Sequence, residues 1–133
     1  MKSVGNTQYH NLNVIDINSV PDPIFWVDPN GLIININETA CSHLGYPKQE
    51  LLGKHVNEFS KPITGLSFDK LWKLIKTNKD YRFEGEHIKK DGQVVPVEIL
   101  ARFIPNEKGG YVACLVRDIS RIKNVQRKWE ETS

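Results

Sequence analysis

The spacing of apolar positions changes several times along the chain, and each change marks a new element. Leu12, Val14, Ile15 and Ile17 are scattered through residues 12–20 as in a short helix, and Pro21 and Pro23 end it. Ile24-Phe25-Trp26-Val27 is a continuous apolar run. Asp28-Pro29-Asn30-Gly31 carries the proline and glycine of a tight turn, and Leu32 to Ile36 is branched and aliphatic. Together they read as a β-hairpin. Neither strand alternates cleanly, which predicts a sheet covered on both faces at this point. Asn37 is placed to cap a helix, Glu38 suits the helix dipole, and Ala40, Cys41 and Leu44 follow at helical spacing. Gly45 and Pro47 separate this helix from a second through Leu51 and Leu52, which Gly53 ends. His55 to Phe59 reads as one further helical turn.

Ser67 to Asn78 is a longer helix capped by Ser67. Phe68, Leu71, Trp72 and Ile75 form its apolar stripe, with Asp69, Lys70, Lys73 and Lys76 opposite. The period becomes two from Tyr81 to Lys89, with Phe83, Gly85 and His87 on one face and Glu84, Glu86 and Ile88 on the other. Asp91-Gly92 signals a hairpin. Val94 to Ile104 returns with Val95, Val97, Ile99, Ala101 and Phe103 together, and Tyr111 to Asp118 follows with Val112, Cys114 and Val116 together. Ser120 is placed to cap a last helix from Arg121 onward. Strands and helices are segregated along the chain, which predicts an α+β domain with an antiparallel sheet.

Composition narrows the function classes. The chain has 133 residues, enough for one domain, and is 39% hydrophobic and 26% charged, as folded chains are. A net charge of +2 gives no reason to expect nucleic acid as a partner. No apolar run is long enough to span a bilayer, so no membrane insertion is expected. Cys41 and Cys114 stand far apart with no second pair near either, which argues against a disulfide scaffold or a metal site and points to a reducing, cytoplasmic setting. There is no HExxH, no GxGxxG, no phosphate-binding loop and no placed Ser-His-Asp set, so no catalysis is expected.

Four stretches share a resemblance. They are PDPIFWVDPNGLIININETA (Pro21 to Ala40), LGYPKQELLGK (Leu44 to Lys54), KKDGQVVPVEI (Lys89 to Ile99) and VRDISRIK (Val116 to Lys123). In this order they resemble a PAS domain, a sensory module of signalling proteins. The resemblance implies a PAS fold: a five-stranded antiparallel sheet, helices over one face, flanking terminal helices, and a cavity between sheet and helices. It implies a flexible tail at 1–11, a flanking helix at 12–20, the PAS domain at 21–119 and the start of a signalling helix at 120–133. Because both ends fall in elements that usually continue, a piece of a larger receptor is expected, with an effector domain in the same chain. A sensor histidine kinase of a two-component system or a diguanylate cyclase is the expected type.

The candidate cavity wall is Trp26, Ile34, Ile36, Cys41, Leu44, Leu52 and Phe59, with Leu71, Trp72 and Ile75 from the longer helix. Phe83, Val97, Ile99, Ala101, Cys114 and Val116 come from the strands. His87 is the one titratable side chain expected to point inward among them, either as a core histidine or as an anchor for a carboxylate ligand. His43 and His55 read as surface residues of short helices. Light-oxygen-voltage relatives place a reactive cysteine just after the string written here as GKH, where this chain has Val56. At positions where those relatives use amides for the flavin edge it has His87, Val97 and Val116. Flavin is therefore disfavoured. Haem is disfavoured too, because residues 67–78 contain no histidine. No cofactor is the leading expectation, with a small-molecule ligand possible. Signal exit is assigned to Asp118, Ile119 and Ser120. A homodimer seam is assigned to Val14 and Ile17 at one end and Ile122, Val125 and Trp129 at the other. The alternatives are a ligand-free dimerisation scaffold and a flavin or haem redox sensor.

Overall fold

A computed structural model describes residues 17–132. Two short strands, β1 (Ile24–Val27) and β2 (Ile33–Ile36), precede helices α1 (Glu38–Leu44) and α2 (Lys48–Leu51). A 3-10 turn at Val56–Glu58 leads into β3 (Ser60–Pro62) and helix α3 (Phe68–Asn78). Strands β4 (Asp80–Ile88), β5 (Val94–Ile104) and β6 (Tyr111–Asp118) follow, and helix α4 (Ser120–Thr132) leaves the sheet. The sheet is antiparallel throughout, in the order β2-β1-β6-β5-β4-β3. Helices α1, α2 and α3 cover one face and enclose the main core with Phe25, Val27, Val97, Ile99, Val112 and Val116. The α+β class is as the sequence predicts.

The sheet has six strands where five were expected. Ser60, Lys61 and Pro62 pair with His87, Glu86 and Gly85, a three-residue strand too short to show a period. It approaches so closely that a Cβ on Gly85 would sit 2.6 Å from the Lys61 carbonyl oxygen. A glycine inside a strand is the mark of such an approach.

Several residues lie elsewhere than predicted. Asn35 stands opposite Trp26 and Ile33 opposite Val27, so Ile34 is an extra residue between them, a bulge that lets Ile33 and Ile36 both face the core. Ile34 is thereby turned out, and is exposed. Trp26 alternates away from Phe25 and Val27 to the outer face, where its ring lies 4.7 Å from that of Tyr111. Ile17 and Val20 pack over Ile24 on that same face, beside Trp26 and Leu115. Ile17 is thus buried against its own chain and is not part of a dimer stripe. It sits in a 3-10 turn, Ile17–Ser19. Residues 12–16 of the expected flanking helix, Val14 among them, lie outside the described residues. Leu52 is exposed and Leu51 takes the core place, since a one-turn helix has no period from which to choose between them. Ser120 lies inside α4, and the Asp118 carboxylate accepts its N–H at 2.8 Å.

Asn37 holds the N-terminal half together. It is 1% exposed. Its side-chain oxygen accepts the N–H groups of Ile24 (3.1 Å) and Ala40 (2.9 Å). Its amide nitrogen donates to the carbonyls of Ile17 (3.0 Å), Val20 (3.3 Å) and Asp22 (2.8 Å). One side chain thus caps α1, fixes the start of β1 and ties the preceding segment to both. Asn37→Ala strands two buried donors and leaves three carbonyls short of a partner, so it is expected to cost about 3–5 kcal/mol. Asn37→Asp keeps the acceptor but turns lone pairs toward three carbonyls, and is expected to be nearly as damaging. Urea unfolding at pH 7 measures both.

Candidate functional site

The space between α3 and the sheet is a cavity of about 50 Å³. Its floor is Phe25, Val27, Phe83, Ile99, Val112 and Cys114, its roof is Phe68, Leu71, Trp72 and Ile75, and its side is Val56, Asn57, Ser60 and Pro62. Of the predicted wall, Leu71, Trp72, Ile75, Phe83, Ile99 and Cys114 are brought together here. Ile36, Cys41, Leu44, Phe59, His87, Val97, Ala101 and Val116 are buried in the same core but do not line the cavity. Trp26, Ile34 and Leu52 are outside it for the reasons given above. The lining residues that the sequence reading missed come largely from β1 and the 56–62 segment. Phe25 and Val27 were legible as the alternate partners of Trp26, whereas Ser60 and Pro62 depend on the unforeseen β3. Ile75 is buried, but Phe68, Leu71 and Trp72 are only half-buried: that part of α3 is held by apolar contact, a Trp72–Phe103 edge contact at 5.9 Å and a Phe68–His55 edge contact at 5.4 Å, while its C-terminal cap Lys79 accepts the Phe103 N–H at 2.9 Å.

His87 is fully buried beside the core. Its ring lies 6.1 Å from that of Phe25 and 5.9 Å from that of Phe59. Its Nδ1 is 3.1 Å from Nε2 of His43, so one ring donates to the other, and its Nε2 is buried with no partner. His43 is half-buried in α1, not a surface residue. It follows Ala40 by three positions and so flanks the helix's buried side. Burial pushes His87 down to about 3, and the neighbouring His43 adds to this. Burial also lowers His43, with Asp118 opposing and Lys89 adding. Both rings are therefore neutral at pH 7. His55 is likewise half-buried: its Nδ1 accepts the Asn57 N–H at 3.1 Å, capping the 3-10 turn, and its ring fills the place a side chain at Gly31 would need.

The remaining groups are chemically quiet. Burial pushes the Cys114 thiol up to about 12 and also raises Cys41, which suppresses the thiolate form of each. Among the described residues no cluster of His, Cys, Asp or Glu is placed to hold a metal ion, and no helix is long and apolar enough to cross a membrane. The cavity floor offers apolar side chains, and Val56, at the position where light-oxygen-voltage relatives place the reactive cysteine, lines the cavity.

The buried histidine pair makes stability depend on pH. His87 takes a proton near pH 6.5 when unfolded but only near pH 3 when folded. Its contribution is therefore complete above about pH 6.5 and is lost as pH falls from there toward 3. The loss approaches about 1.4 kcal/mol per pH unit below pH ~5.5. Urea midpoints between pH 7.5 and 4.5 are expected to show this slope, and His87→Phe to flatten it.

Comparison with known proteins places this geometry. A family model described as PAS domain matches residues 21–121. A methyl sulfide methyltransferase-associated sensor of Methanosarcina acetivorans is 26% identical over 109 residues, which is 81% of this chain and 11% of that protein. The chain thus spans about a tenth of the length of the curated relative it matches. Among solved structures, a PAS domain from a two-component sensor histidine kinase superposes with a TM-score of 0.66 at 18% identity, covering 88% of this chain and 99% of the other. An RNA-binding light-oxygen-voltage receptor superposes with a TM-score of 0.72 at 13% identity, covering 99% and 38%. The family match, the sheet order and the helical layer over one face agree, and the chain belongs to the PAS domain family.

Proposed function

We propose that this chain is a non-enzymatic sensor or regulatory domain of a multidomain signalling protein, working on the cytoplasmic side. It converts occupancy of the space beneath α3, or contact with a partner, into a changed geometry of α4. That helix passes the change to an effector such as a histidine kinase or a diguanylate cyclase. The observation that carries this reading is the join between β6 and α4. Asp118 still pairs with Val97 in the sheet, Ile119 is 4% exposed and donates its N–H to the Pro96 carbonyl at 3.0 Å, and Ser120 is already helical. No flexible residue separates the last strand from the rod, so a shift of one tilts the other. Signalling then needs only a ligand or partner with different affinities for the two arrangements.

Beyond the join, α4 turns Ile122 and Val125 to solvent, 44% and 52% exposed, with Trp129 further along the same stripe. Their spacing of three and then four residues is that of a heptad seam, which a second copy covers across a two-fold axis. The small cavity favours one other reading, a dimerisation scaffold with a filled core. A flavin or haem redox sensor is disfavoured by the cavity's size and lining, and the purified chain is expected to be colourless.

The dimer is tested by sedimentation velocity over a range of concentrations. The chain is expected to self-associate, and Val125→Glu to weaken association at least tenfold, about 1.4 kcal/mol, with the melting temperature little changed. A chain monomeric throughout, or a variant that associates equally well, sinks the seam. Native mass spectrometry of the purified chain, searched for a retained small molecule, separates sensor from scaffold.

A further inference from the structure

We infer that the cavity under α3 takes a small, uncharged, apolar molecule, and that neither a carboxylate nor any other ion is its ligand. This deepens the sensor reading and rests on it. The walls supply the reason. Floor and roof are hydrocarbon, aromatic or thiol surface, and the polar side chains Asn57 and Ser60 stand only along one side. None of the fourteen lining residues carries a charge at neutral pH. An ion placed there would lose its hydration with no counter-charge to replace it, a loss far larger than any contact in so small a space returns. His87, the buried histidine, is engaged by His43 and packs against Phe25 and Phe59 without lining the cavity.

Size restricts the class further. A water molecule occupies about 30 Å³ in the liquid, and an apolar cavity of roughly 150 Å³ takes up benzene or xenon. At about 50 Å³ the space admits an occupant of one or two heavy atoms while α3 stays where it is. A larger apolar molecule enters only as Phe68, Leu71 and Trp72 move outward. Val112 and Cys114 belong to β6, so an occupant touches the strand that continues into α4.

The test is methyl NMR of the whole chain under xenon pressure, with propane and sodium propionate as a neutral and a charged probe. Xenon and propane are expected to shift the methyls of Val27, Leu71, Ile99 and Val112 saturably, leaving that of exposed Val94 unmoved, and propionate to have no effect. Cys114→Leu fills the floor and is expected to abolish those shifts. Leu71→Phe narrows the space from the half-buried roof and gives the same loss should the floor variant not fold. Shifts from propionate but not xenon overturn the ligand class and leave the sensor reading standing. Shifts from none of the three overturn this inference alone, since the sensor reading is decided separately by the search for a retained molecule. Shifts that persist undiminished in a folded variant overturn the location.

Discussion

One buried amide sets the frame on which the helical layer is built. Asn37 stands where β2 turns into α1, and its two ends serve opposite needs: the oxygen meets two N–H groups and the nitrogen meets three carbonyls. Among short side chains only asparagine offers a two-donor nitrogen beside a two-site oxygen at this reach. The backbone of the same residue extends the junction, donating to the Ile24 carbonyl at 3.0 Å and accepting the Cys41 N–H at 3.1 Å. The start of α1 is therefore fixed to β1 by directional bonds. Its far end is fixed as well, through the Lys90 N–H to Leu44 carbonyl bond at 2.9 Å and the His43–His87 contact. Helix α3 is tied in this way at its C-terminal end alone, where the Phe103 N–H meets the carbonyl of its cap residue Lys79 at 2.9 Å, and its N-terminal part rests on the sheet through rings and methyls. Elements held by directional bonds at both ends open last, and those with half-buried apolar contacts open first. The more movable part of the helical layer is thus the N-terminal end of the roof, Phe68 to Trp72, whose side chains are half-buried.

The sequence made these features legible unevenly, for physical reasons. Strand β5 was readable to the residue because its alternation over one covered face repeats many times, and β6 because turn residues bound an apolar run that is buried on both faces. The α3 stripe and the Asn37 cap were readable because each is a local rule about neighbours in the chain. Strand β3 was not, since three residues ending in proline show no pattern. The trace it left was Gly85 on the partner strand. The face of Ile34 depended on a bulge in β2, where one inserted residue reverses every assignment beyond it, whereas Trp26 obeys simple alternation that a run apolar at every position does not orient. The His43–His87 bond joins residues far apart in the chain, and nothing local announces it.

That bond also changes what the core can recognise. An inward histidine suggests an anchor for an anion, but a ring desolvated by two phenylalanines and faced by another histidine stays neutral. It positions α1 over β4 at one polar point in an otherwise apolar layer. On its open side His43 feels Asp118, whose carboxyl burial raises but whose hydrogen bonds to Ser120, with His43 and Lys89 nearby, hold low overall. Asp118 is also the residue whose carboxylate orders the first turn of α4. Helical layer, central sheet and exit helix therefore meet within a few side chains, away from the cavity but on the strands that floor it.

The size of the cavity then limits how strongly an occupant can act. The best small ligands gain at most about 1.5 kcal/mol per heavy atom, so an occupant of two heavy atoms contributes about 3 kcal/mol at most. All of that, if it distinguished the two arrangements, would shift their ratio by roughly 150-fold, the upper range of ordinary allosteric coupling. The same figure corresponds to binding weaker than about 1 mM, since a millimolar dissociation constant requires about 4.1 kcal/mol. A tighter ligand must bury more surface, and in this core more surface is available only by lifting α3. The cavity's modest volume and the roof's loose attachment are thus two aspects of one design. A closed α3 holds the core dry and the domain folded, and an occupant large enough to bind well has to displace it. On the proposed sensor reading, that displacement passes through Val112 and Cys114 to the end of β6, where the buried join at Ile119 leaves no slack to absorb it.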